Sequence, residues 1–100
     1  MRSKGIQYEF SATIWQYAGP GGWHFVSLPQ ALSKEIRDNL KSEEEGWGRL
    51  KAVAATGNSE WKTAIWFDTK LNTYLLPLKA DIRKKEGLTL ESNIIITLWI

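Results

Sequence analysis

The chain contains no cysteine, one histidine and three prolines in 100 residues. The missing thiols exclude disulfides, thiolate metal sites and a cysteine nucleophile, and they suit a reducing compartment. A lone histidine excludes a multi-histidine zinc site. Long apolar runs are also missing. None lies at the N-terminus, so no secretory leader is expected, and the longest, 93–100, is far too short to span a bilayer. Nor is there an excess of one charge, since 13 basic and 11 acidic side chains leave a net +2. That balance permits a basic patch without demanding a polyanion as partner. A cytoplasmic protein without membrane contact is the default expectation.

Catalytic patterns are absent as well. There is no G-x-S-x-G elbow, phosphate loop or dinucleotide fingerprint. The glycine-rich stretch 19–22 joins two strands rather than opening a helix, so it reads as turn chemistry. His24 sits between Trp23 and Phe25 with no polar partner apparent, and is read as a surface or half-buried histidine. Glu9, Glu60, Asp68 and Asp81 fall in turns or on exposed faces and are read as solvated. No catalytic set, cofactor or metal site is expected.

What the sequence does contain is alternation. Tyr8, Phe10, Ala12 and Ile14 share one face of a strand over 8–17. Further strands are predicted at 23–28, 47–56, 60–68, 73–78 and 93–100, with Gly57-Asn58 as a two-residue hairpin turn. The last is apolar on both faces, which predicts a central or covered strand. Helical spacing of Ala31, Leu32, Ile36 and Leu40 predicts a helix over 29–42, left through a solvated Glu43-Glu44-Glu45 exit. A second helix is predicted over 79–86 and closed by Gly87.

The element order is ββαβ-ββαβ with an offset near fifty residues, which matches Leu28 to Leu78, Thr13 to Thr63 and Lys34 to Lys84. This predicts one mainly β domain over 1–100. Its form is a six-stranded pseudo-barrel at about 7–100, capped by two short helices, with 1–6 disordered.

Three stretches carry a resemblance: GPGGWHFVSLP at 19–29, WKTAI at 61–65 and YLLPLKADIRK at 74–84. In this order and spacing the chain resembles the bacterial and archaeal domain-of-unknown-function family numbered nineteen-zero-five. That family is similar in fold to the double-split barrels of AbrB and MazE type, so the resemblance implies a prokaryotic double-split barrel and no established activity. One departure is visible: the family's Gly-Asp turn before the last strand is Ser92-Asn93 here.

Two features point to binding. Lys79, Arg83 and Lys84 crowd the second helix, where Asp81 offsets Lys85 at i,i+4. Such a face can meet phosphates. Of six tryptophans, Trp15 and Trp66 fall on strand faces opposite the core, while Trp23, Trp47, Trp61 and Trp99 fit the interior. Trp15 and Trp66 either form an exposed aromatic patch or are covered by closure of the barrel. The leading reading is a non-catalytic module that binds a protein or small molecule. Nucleic-acid binding, by analogy with AbrB and MazE, is second. A small enzyme with a pocket between the barrel halves is third.

Overall fold

A computed structural model describes residues 5–19 and 21–100, with Trp47 described by its backbone alone. Residues 1–4 of the segment expected to be disordered, the Pro20 of the glycine-rich turn and the core placement of Trp47 lie outside what is described.

The architecture is mainly β: a curled, seven-stranded antiparallel sheet with two short helices. In chain order the elements are β1 (Gln7–Thr13), β2 (Trp15–Gln16), β3 (His24–Ser27), α1 (Gln30–Leu40), β4 (Arg49–Thr56), β5 (Ser59–Asp68), β6 (Thr73–Pro77), α2 (Ala80–Glu86) and β7 (Asn93–Trp99). The strand order across the sheet is β1-β7-β4-β5-β6-β3-β2.

Six strands were expected and seven are present, because the first predicted strand is broken at Ile14. The Ile14 amide donates to the Ser92 carbonyl, and its carbonyl accepts from the Glu91 amide. The backbone there is thus taken up by the loop before β7. Upstream the segment pairs with β7, and downstream with β3. One bent segment therefore forms both ends of the strand order, and the sheet curls around the core. The six-stranded double-split form implied by the resemblance is corrected to this single curled sheet.

The interior follows from the alternation. Tyr8 and Phe10 of β1, Leu50, Ala52 and Ala54 of β4, and Ile94, Ile96 and Leu98 of β7 all face it. Each large apolar side chain so buried stabilises the fold by roughly 1.5–3 kcal/mol. β7 is central, as its pattern predicts, yet its second face is open: Ile95 is 62% exposed. Gly57 supplies the positive φ of the β4–β5 turn, and the Glu86 carboxylate accepts from the Asn58 amide and the Ser59 hydroxyl. The turn before β7 has its left-handed residue at Glu91, and Asn93 already belongs to the strand.

α1 buries Ser33 and Ile36 against the sheet. The acidic exit is not solvated throughout. Glu44 accepts from the Tyr74 hydroxyl and lies 3.9 Å from the Arg37 guanidinium, whose plane stacks 3.8 Å over Phe67. Burial and this carboxylate together push the Tyr74 hydroxyl well above the usual phenol range.

The fifty-residue offset recurs in the hydrogen bonds. Leu28 N–H donates to Tyr74 O, and Leu78 N–H donates to His24 O. Ser33 N–H donates to Pro29 O, and Arg83 N–H to Lys79 O. Trp15 pairs with Phe25 where Trp66 pairs with Leu75.

Candidate functional site

The site lies on the outer face of the sheet. The tight turn at Gly57-Asn58 sets the β4–β5 register, which places Arg49 opposite Trp66, Lys51 opposite Ala64 and Val53 opposite Lys62. These side chains point away from the core because the opposite parity, Leu50, Ala52 and Ala54, points into it. Lys51 and Lys62 are diagonal neighbours, roughly 7–8 Å apart at the backbone.

Above this face is a cleft of about 790 Å³. Arg49 and Lys51 enter from β4, Lys62 from β5, and Lys79 and Arg83 from α2 and the residue before it. Among the described residues no Asp or Glu side chain lines it; its walls include Trp23, Trp66 and Trp99. Ala64, 2% exposed and outside the main core, forms part of the floor.

The five cations are not equally engaged. Arg49 pairs with Glu45 and lies 5.6 Å from the Trp66 ring centre, and Lys51 reaches Glu45 at 3.6 Å. Among the described residues, no carboxylate forms an ion pair with Lys62, Lys79 or Arg83. Arg83 is held in place: its Nε donates to the Leu78 carbonyl at 3.3 Å, and its Nη1 lies 3.4 Å from His24 Nε2. A guanidinium can only donate, so Nε2 accepts and the ring proton sits on Nδ1. That Nδ1 is buried with no partner among the described residues. His24 is therefore half-buried, as read from sequence, and it also positions a cation.

Adjoining the cleft is a groove of about 640 Å³ that brings together Trp15, Trp66, Tyr17, Trp23 and Phe25. Trp15 is anchored by its indole N–H to Ser27 Oγ at 2.9 Å, and its ring centre lies 5.2 Å from that of Phe25. Trp23 stacks on Phe25 at 6.3 Å with 13° between planes. Trp23 and Trp66 line both the groove and the cleft.

Of the candidate residues, Lys79 and Arg83 meet in the cleft, whereas Lys84 is exposed and lies outside it. Trp15 and Trp66, both half-buried, meet in the groove. Trp23, read as a core residue, is 58% exposed. It immediately precedes β3, and its amphipathic ring stacks on Phe25. Trp99 is half-buried on the outer face, its indole N–H on Gln7 Oε1 at 3.3 Å, while Trp61 is in the core. Sequence reasoning missed Arg49, Lys51 and Lys62. The signal was available: the hairpin turn fixes which odd residues of β4 face which even residues of β5.

Asp68 caps its own turn, its Oδ1 accepting from the amides of Lys70 and Leu71 at 2.9 Å each. Glu9, Glu60 and Asp81 are exposed. Among the described residues no three His, Asp or Glu side chains converge as a metal site would need, and no helix is long and apolar enough to cross a membrane.

No curated protein matches the chain. Nothing found supports the expected likeness to AbrB- and MazE-type barrels, and the continuous seven-stranded sheet replaces it. A family model matches residues 10–98, and the chain belongs to that family, described as a domain of unknown function (DUF1905).

Proposed function

We propose that the chain is a single-domain, non-catalytic binding module that takes a small anionic ligand in the cleft between β4, β5 and α2. The observation that carries this reading is the clustering of Lys62, Lys79 and Arg83 on a wall that has no Asp or Glu side chain among the described residues. Like charges held together repel, and an anion relieves that repulsion. Side chains from strands and a helix start converge there, on a rigid floor, as a preformed ligand site requires. We read the strands as six positions around the core, with 7–16 counted once, so that the cleft opens where one half of the chain meets the other. The absence of cysteine fits a cytoplasmic setting.

Calorimetric titration of the full chain with inorganic pyrophosphate tests the proposal. Binding should weaken as ionic strength rises, because the lysines are solvent-exposed. A Lys62→Ala/Lys79→Ala variant should lose at least about 10-fold in affinity, since each charge-assisted hydrogen bond is worth roughly 1.5–3 kcal/mol. Absence of pyrophosphate binding at low salt would sink it.

A further inference from the structure

We infer that the cleft and the aromatic groove form one two-part site whose ligand is a nucleoside phosphate, with the phosphate on Lys62, Lys79 and Arg83 and the base on the indoles of Trp23 and Trp66. This rests on the cleft reading above and adds the chemistry of the ligand's other end. Three observations carry it. The two concavities share a wall, because Trp23 and Trp66 line both. The groove is walled by rings, and Trp23 at 58% and Tyr17 at 51% exposure leave π surface in water. Large exposed aromatics are costly to leave uncovered and offer stacking to any planar base.

The charge also runs in one direction along the site. Among the described residues the cleft is lined by five basic side chains and no Asp or Glu, whereas the groove holds Asp68 and Lys70 at an otherwise apolar surface. A phosphate is drawn to the cleft and kept from the groove by Asp68. A planar, nearly neutral base suits the groove. At the boundary the Arg49 guanidinium lies 5.6 Å from the Trp66 ring centre, a cation–π contact that puts positive charge beside the aromatic wall.

The same chemistry is available from a free nucleotide or from a single strand, and titration of the full chain separates them. Pyrophosphate, ADP, decyl phosphate and a four-nucleotide single strand are compared by calorimetry, with indole quenching as the second readout. ADP should bind about 10-fold or more tightly than pyrophosphate, consistent with one stacked base. Trp23→Ala should lower ADP affinity about 10-fold more than it lowers pyrophosphate affinity; because Trp23 is largely exposed, the variant should fold. A further gain for the tetranucleotide, with a log–log salt slope near −0.7 for each phosphate engaged, identifies the polymer as the source. Equal affinity for ADP and the tetranucleotide identifies the free nucleotide. Equal binding of ADP and pyrophosphate overturns this inference and leaves the cleft reading standing. Decyl phosphate binding as tightly as ADP overturns the base while keeping the phosphate. If pyrophosphate itself fails to bind, both readings fall together.

Discussion

The molecule builds one junction twice and finishes it in opposite ways. In the first copy α1 follows β3, and Ser33 sits beneath the helix, its Oγ accepting from the Tyr74 amide at 3.0 Å. In the second α2 follows β6, and the residue fifty places on is Arg83, beside His24. The backbone bonds around the two sites match. Ser33 and Tyr74 are both 0% exposed, whereas Arg83 and His24 are half-buried at the rim of a cleft. Helix length explains part of the contrast. α1 has 11 residues and leads into the Glu44 tie, while α2 has 7, buries none fully and stops at Gly87. A shared backbone plan therefore leaves the choice between a sealed core and an open site to side-chain size and about one turn of helix.

The comparison can be broken by exchanging the two residues. Ser33→Arg should destabilise the fold by roughly 3–5 kcal/mol, because a guanidinium would be buried without a partner in a filled space. A large drop in the urea midpoint checks this; an unchanged midpoint would mean the first junction is not sealed.

Tyr74→Phe removes the hydroxyl that donates to Glu44 and should cost about 1–3 kcal/mol, since the carboxylate loses a partner. Its pH behaviour has a definite sign. Folding raises the Tyr74 ionisation above the ordinary phenol value of 10.0, so the neutral phenol is favoured in the native state. The associated stability is complete below that value and declines as pH rises beyond it. Alkaline denaturation should begin earlier in the parent than its neutral stability implies, and the Phe variant should show a shallower fall.

Gly87→Ala should cost about 1 kcal/mol, because φ is +66° there while the space for a methyl group is open. The loss is purely conformational, and thermal melting measures it. The smallest effect on stability is expected from the reverse exchange, Arg83→Ser, at under about 1 kcal/mol, because Arg83 is only half-buried at the cleft rim and its contacts to Leu78 and His24 are long. Its effect on pyrophosphate affinity should nevertheless reach about 10-fold. Destabilisation as great as that of Ser33→Arg would erase the distinction between the two ends.

Much of this was legible in residue order. The alternation in β4 and β5, the turn at Gly57-Asn58, the helix stop at Gly87 and the matching of Leu28 with Leu78 all follow from local rules. The basic helix supplied Lys79 and Arg83 for the same reason. The break at Ile14 was not legible, because its cause is a loop nearly eighty residues away. Trp23 misled because hydrophobicity alone does not distinguish a core ring from one that covers another ring. Glu44 misled because a run of three glutamates reads as solvent-facing until Tyr74 and Arg37 arrive from other elements. The hairpin register places Lys62 opposite Val53, but its meeting with Lys79 and Arg83 depends on where α2 packs, which no local rule gives.

The pairing of β1 with β7 has a kinetic side. Gln7 lies opposite Trp99 and Thr13 opposite Asn93, so the first strand of this sheet to leave the ribosome must wait for the sheet's last. Loop closure over that span is entropically costly and slow. Until it happens, the apolar side of β1 and the β7-facing edge of β4 stay uncovered, and nascent chains shortened before 93 should be captured by chaperones rather than accumulate as folded intermediates.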